Sequence, residues 1–483
     1  MNKIAVCVLS CLMTVNVWAT DEQNRHQLEQ QYKLTQQQQQ EQLLSGTEVL
    51  DKITAIKNQN HVEDNEASLT QAIFIAINQQ DWQDLNHYLQ RYQQLEYYSP
   101  VIVYFSKGIL AKSKRDYKQA EHYFKTMLEY DVDFTRGRLE LARILFENHK
   151  NEEAKQHFQA IYPQLPEQIQ EVIDIYLQAI AQRFQWQGSI AVGMSYNNNV
   201  NQKSGGSQCY TQFIINGQQI CTQLRTAESA VSDGLWTYNA TIAKHIPLHE
   251  QHSLYFKTLA YGSIYDTESS QSQQTVNTAL GYKFQNAKQS LNLYPFYEHY
   301  RHSAQSMYDA YGLGVDYNNQ LNEKIGLNLQ SEYQKNNFKN SLNKEYYNGN
   351  IFTTYLTFSY QLSPKTLAFM GANYADKNIN DDTNSFKQYT ARLGAYHVFD
   401  NQSNLTALAM FKQTNYQMEN VLIDPKPARN KEQNYILSYA MPNMNFKGFY
   451  PVLGYKYSKM KSNISWFYDY DAHEVNIKLQ KTF

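Results

Sequence analysis

The sequence predicts an α plus transmembrane β-barrel protein, with an N-terminal helical solenoid followed by a 14-stranded antiparallel barrel of the outer-membrane kind. Three observations predict it. The apolar period changes from about 3.6 to 2 residues near position 185. The 483-residue chain is 14% aromatic with 40 Tyr, and tyrosine rings concentrate where a barrel meets the lipid headgroups. A 34-residue self-similarity runs through the helical part, between positions 108 and 158. The formal net charge of −2 gives no electrostatic reason for a nucleic-acid partner. A mean hydropathy of −0.64 excludes a bundle of membrane helices.

The first element is a signal peptide over residues 1–19. Lys3 supplies the positive start, Ile4 to Val15 the apolar run, and Val17-Trp18-Ala19 the small-residue exit. That run is too short to span a bilayer. Cys11 could pose as a lipid-attachment site, but a cut there leaves an apolar stretch at the short limit for such peptides. Residues 20–65 read as a mobile lead segment. Gln27 to Gln42 is glutamine-rich and low in apolar surface, so no firm packing and no chemistry are expected of it.

Residues 66–184 form the helical domain, expected in the periplasm. Gly108 is matched by Ala142, Ala120 by Ala154 and Phe124 by Phe158, each 34 residues on, which is the tetratricopeptide period. The small residues let paired helices approach, and the two phenylalanines fill the space between units. Ser68 to Leu95 reads as a degenerate helical pair before the two clear units, and Glu167 to Arg183 as a closing helix. An ordinary helical bundle with an accidental period is the alternative.

From 185 to 483 the pattern is alternation. Val276, Thr278, Leu280, Tyr282 and Phe284 fall on one face of a strand; Thr275, Asn277, Ala279, Gly281 and Lys283 fall on the other. Such a strand is apolar toward lipid and polar toward a lumen. Repeating the reading gives fourteen strands, from 187–200 to 470–483, joined alternately by short turns and longer polar loops. The short turns are expected to face the periplasm and the loops the exterior. Val475, Ile477, Leu479 and the terminal Phe483 alternate like the terminal signal by which outer-membrane barrels are recognised for assembly; Lys481 departs from that pattern.

Candidate chemistry is sparse. Cys7 and Cys11 leave with the signal peptide, so Cys209 and Cys221 remain, an even count in an exported chain, and a disulfide within an external loop is expected. No His lies between 202 and 236 to build a metal site with them. No phosphate-cradling motif occurs. His249-Glu250-Gln251-His252 is one residue short of a zinc-binding HExxH and falls in a predicted turn. His299, His302 and Ser303 lack a third member for a hydrolytic site. The expectation is therefore a protein that is not an enzyme and carries no cofactor.

The order of parts resembles the Slam family, the surface lipoprotein assembly modulators of Gram-negative bacteria. The resemblance rests on Arg138-Leu139-Glu140-Leu141-Ala142-Arg143-Ile144-Leu145-Phe146 in the second repeat, on Ala181-Gln182-Arg183 and Trp186 before the barrel, and on Tyr196-Asn197-Asn198-Asn199-Val200-Asn201 at the end of the first strand. It implies an outer-membrane translocator moving client proteins, either surface lipoproteins or secreted haemophore-like proteins, from periplasm to cell surface. Further partners it implies are periplasmic chaperones, the barrel-assembly machinery and outer-membrane lipid. The asparagine cluster at 197–201 reads either as a contact for a passing chain or as amides satisfying the backbone at a strand mouth. A polysaccharide-export porin is the alternative function. It would favour a dense lumenal ring of one charge, whereas the inward positions read as Thr, Asn, Gly and Ser with scattered Lys and Glu.

Overall fold

The computed structural model describes residues 25–31, 33–40, 43–48, 62–215 and 218–483. The expected signal peptide at 1–19 lies outside the described residues, as do 49–61 of the lead segment.

Seven helices build the solenoid: α1 (Glu66–Gln79), α2 (Trp82–Tyr92), α3 (Pro100–Ser113), α4 (Tyr117–Tyr130), α5 (Thr135–Glu147), α6 (Asn151–Ile161) and α7 (Glu167–Gln182). They form three hairpins and a closing helix. The repeat shows in the backbone as well as in the side chains. Gln80, Arg115 and His149 each adopt a positive φ, at 56°, 56° and 59°, just past the first helix of their pair. This left-handed residue ends one helix and reverses the chain into the next. Asp81 and Asp116 follow and cap the second helices, accepting from the Asp84 amide at 2.9 Å and the Gln119 amide at 3.1 Å. Ala120, Phe124, Ala142, Ala154 and Phe158 are fully buried in one continuous core running from Leu69 to Ile180.

Sixteen strands follow: β1 (Gln187–Asn197), β2 (Ser207–Ile215), β3 (Gln218–Thr226), β4 (Asp233–His249), β5 (His252–Tyr265), β6 (Gln273–Gln285), β7 (Gln289–His302), β8 (Gln305–Gln320), β9 (Ile325–Phe338), β10 (Gly349–Ser363), β11 (Thr366–Ile379), β12 (Phe386–Val398), β13 (Asn404–Glu419), β14 (Pro427–Ala440), β15 (Phe449–Ser462) and β16 (Tyr470–Thr482). Fourteen close into an antiparallel barrel in which β1 pairs with both β16 and β4. The other two, β2 and β3, form a separate hairpin inside the loop expected over 202–233. Sequence reading took that stretch for irregular loop because glycine, serine and glutamine dilute its short alternation.

The alternation in β6 is realised as expected. Val276 and Leu280 face outward, while Thr275, Asn277 and Ala279 are buried on the inner side. A closed barrel leaves no unpaired strand edge, which is what a spanning sheet requires in hydrocarbon. Some of the outward rings lie at two levels: Tyr196, Trp236 and Tyr389 are exposed near the long-loop end, and Trp186, Phe449 and Phe483 near the short-turn end. They mark the two interfaces of the apolar band. Lys481, which breaks the terminal pattern, lies at that second level. Its ammonium sits 5.5 Å over the Phe449 ring and 3.4 Å from the Lys447 carbonyl, so its apolar stem lies along the wall while the charge reaches the polar edge.

Candidate functional site

The barrel lumen is the candidate site, and its wall is more charged than strand-by-strand reading expected. Alternation directs Lys257 of β5, Glu298 of β7, Asp316 of β8 and Glu332 of β9 inward, where all four are buried. Three carboxylates thus stand on three neighbouring strands. Polar neighbours hold each in place: Tyr308 and Asn277 donate to Glu298 at 3.2 and 3.0 Å, Tyr294 to Glu332 at 2.9 Å, and Asn328 to Asp316 at 2.7 Å.

What neutralises this wall is the lead segment. Residues 25–31 and 33–40 are helical and lie inside the barrel. Arg25 bridges Glu298, at 3.0 Å, and Glu332. Glu29 pairs with Lys257 and accepts from the Gln330 amide at 3.0 Å. Lys33 reaches Asp316 at 2.9 Å. His26 stacks on Tyr355, with centroids 3.9 Å apart, and Arg392 lies 2.7 Å from its Nε2. Lower down, Gln36 donates to Gln187 at 2.7 Å and Gln39 to Thr482 at 3.0 Å, both at the short-turn end. This differs from the expectation of an unpacked segment without chemistry. The expectation looked for apolar surface, and this helix is held by ion pairs and amide hydrogen bonds against a polar wall. The signal that could have found it is the sign pattern plus, minus, plus at positions 25, 29 and 33, one helical face.

Beside the helix, toward β1 and β14 to β16, a cavity of about 380 Å³ remains, lined by Thr237, Asn239, Glu474, Asn476 and Lys478 among others.

The solenoid sits on the short-turn end of the barrel. The Gln251 side chain donates to the Asn148 carbonyl at 2.8 Å, Lys150 lies 3.7 Å from Glu250, and the Ala287 amide meets the Asn148 side chain at 3.4 Å. The His249-Glu250-Gln251-His252 segment therefore forms the β4–β5 turn and docks the repeats. Arg183, just past α7, donates to the Phe146 carbonyl at 3.0 Å and lies 4.0 Å over that ring. Trp186 follows, its ring edge-on to Phe256 and beneath the Lys244 ammonium. Of the motif residues, Phe146 and Arg183 thus pack on each other beside the docking residues Asn148 and Lys150, and Trp186 packs on the barrel wall.

At the opposite end Cys209 and Cys221 are bonded across β2 and β3, with Cα atoms 5.7 Å apart. The asparagine cluster anchors the base of this hairpin. Asn199 donates to the carbonyls of Lys203 and Asp471, both at 3.1 Å, and Asn201 to that of Ser229 at 2.8 Å. His299 bonds Asp309 at 2.7 Å on the outer wall, while Ser303 lies in the β7–β8 turn with φ of 49°. The three residues His299, His302 and Ser303 are not brought into a hydrolytic arrangement. Sequence reasoning missed Asp309, which the alternation of β8 places outward beside His299.

Comparison with known proteins agrees with this layout. Residues 186–483 match the family described as surface lipoprotein assembly modifier, and residues 56–158 match its N-terminal TPR repeats. The hemophilin secretion modulator of Acinetobacter baumannii is 27% identical over the full length of both chains. Surface lipoprotein assembly modifier 1 of Haemophilus influenzae is 25% identical, covering 84% of this chain and 83% of its own.

Proposed function

We propose, from the premise that the chain belongs to the surface lipoprotein assembly modifier family, that it carries particular client proteins across the outer membrane to the cell exterior. It resides in that membrane, with its short-turn end and TPR domain on the periplasmic side. The observation that carries the reading is the docking of the repeats through Asn148 and Lys150 onto the β4–β5 and β6–β7 turns. A client captured by the repeats is delivered directly to the barrel mouth. Solenoids of this kind offer extended surfaces for polypeptide, and a polar lumen gives a hydrated path.

The full-length likeness to a hemophilin secretion modulator supports a secreted client of the hemophilin kind, and the likeness to surface lipoprotein assembly modifiers supports a lipoprotein. Val475, Ile477, Leu479 and Phe483, exposed on the lipid side of the closing strand, serve as the strip read by the barrel-assembly machinery. Periplasmic chaperones present the client to the repeats.

The test is export of a protein encoded beside this chain, in a heterologous Gram-negative host with and without it, scored by surface labelling and in the culture supernatant. Client outside the cell only in the presence of this chain is the expected result. Equal amounts outside in both strains would overturn the proposal.

A further inference from the structure

We propose that the inner wall of β5, β7, β8 and β9 is a binding site for a charged helical segment, that the described residues 25–31 and 33–40 are its resident occupant, and that this segment is a releasable plug of the passage. The match is one of sequence spacing to wall chemistry. Positions 25, 29 and 33 stand one turn apart on one face. Their signs, plus, minus, plus, meet Glu298 and Glu332, then Lys257, then Asp316. Among the described residues, the ion pairs of these three carboxylates and of Lys257 all come from this segment. Without it the wall would present three carboxylates on adjacent strands with no paired cation, so the site is incomplete until a helix of this charge order fills it.

The segment is also the right length. The fifteen described helical residues, 25–31 and 33–40, account for about 22 Å at 1.5 Å each, close to the ~25 Å apolar band of such barrels. Its contacts run from Arg25, against the upper half of β7, to Gln39 at the short-turn end beside Thr482. It runs the height of the lumen along β5 to β9 and narrows it to a cavity of about 380 Å³ on the β1 and β16 side, lined from Asn197 and Tyr265 at the long-loop end to Gln480 and Thr482 at the short-turn end.

The bonding suits departure as well as residence. Buried ion pairs gain little net free energy, because desolvation offsets most of the attraction, but they are strict about register. The glutamines that fill out the helix, such as Gln36 and Gln39, exchange amide hydrogen bonds with the wall and can exchange them for water as the helix moves. A helix seated by apolar burial would pay the full hydrophobic cost of leaving; this one rehydrates in a polar channel. In the translocator reading, on which the purpose but not the geometry of the plug rests, an incoming client displaces it.

The experiment is conductance of the purified full-length protein in planar lipid bilayers, with heat-modifiable gel mobility confirming a folded barrel for each variant. Wild type is expected to be mostly closed. Glu29→Lys, facing Lys257, is expected to lose the closed state, and Glu29→Lys with Lys257→Glu to regain it. Arg25→Glu with Lys33→Glu is expected to stay open. A folded Glu29→Lys barrel with wild-type closure, or a folded charge swap that stays as open as Glu29→Lys alone, would overturn the plug. Client export is scored separately in the same strains. Charge-dependent closure with no client exported by wild type keeps the plug and sinks the translocator, and export by wild type with charge-independent closure does the reverse.

Discussion

Gly108 of α3 lies directly against the Phe124 ring of α4: a Cβ built on it would come within 2.5 Å of a ring carbon. The ring is fully buried and cannot swing aside, so glycine at 108 is what lets the two helices of this repeat close. Gly108→Val is expected to cost about 1–3 kcal/mol by overpacking. Thermal unfolding of the full-length protein in detergent, followed by helical circular dichroism, should show the helical transition moved down and the barrel transition unmoved. Adding Phe124→Leu should recover part of the loss, since residues in contact couple. Independent, additive effects of the two changes would show that the ring does not set this spacing.

Glu140 of α5 gives the solenoid an acid limit. Burial pushes its carboxyl upward, but Lys112 at 2.8 Å and Arg143 at 2.9 Å outweigh burial and hold it down at about 2. A carboxylate lowered by folding adds stability above its unfolded value and loses it as pH falls toward the folded value. At about 1.4 kcal/mol for each pKa unit, the contribution is on the order of 3 kcal/mol at neutral pH. It should fade between about pH 4.5 and 2. Urea unfolding of the helical domain against pH should therefore be steeper in wild type than in Glu140→Gln over that window. Parallel pH profiles would remove Glu140 as the cause.

The strand alternation, the 34-residue period and the terminal row were legible because each is an apolar pattern repeated over many residues. The structure keeps fourteen barrel strands and lengthens several; β4 runs Asp233–His249 where alternation alone marked 235–246. What alternation could not show was polar recognition. Arg25, Glu29 and Lys33 form a face only when the segment is helical, and their partners Glu298, Asp316 and Glu332 are far off in sequence and adjacent only once the barrel closes. The β2–β3 hairpin was hidden for a related reason. Tyr210, Phe213, Ile214, Ile220 and Leu224 are exposed on it, so no buried face imposes a regular alternation on its sequence.

The Cys209–Cys221 bond is expected to hold that hairpin together. An isolated two-stranded hairpin is marginal in water, and a disulfide closing a short loop contributes about 2–4 kcal/mol. Arg225 of β3 is tied to the Tyr210 ring at 3.4 Å and to the Leu422 carbonyl at 2.6 Å. Cys209→Ser with Cys221→Ser should open the hairpin and expose Arg225 to trypsin added to intact cells, while the barrel keeps its heat-modifiable mobility. Cleavage no faster than in wild type would show that the strand pairing alone suffices.

The closing seam is where the barrel depends most on its last residues. β1 and β16 share a register from Ser189 opposite Thr482 to Asn197 opposite Glu474, and the Phe483 amide and carbonyl both bond Gly188, at 3.0 and 2.7 Å. Ile477 lies near the middle of β16 with its side chain toward lipid and more than half exposed. An arginine there is expected to cost about 2–4 kcal/mol, as charged residues do on the lipid face near the midplane. Removing Phe483 deletes both seam bonds and the last member of the outward row. If that row is read during assembly, Phe483 deletion should reduce folded barrel in the outer membrane more than it lowers the unfolding midpoint of the barrel that does assemble, whereas Ile477→Arg should lower both. Heat-modifiable mobility of membrane fractions and urea unfolding in detergent separate the two effects. Full membrane levels of the Phe483 deletion would leave the terminal row with a lipid-facing role alone.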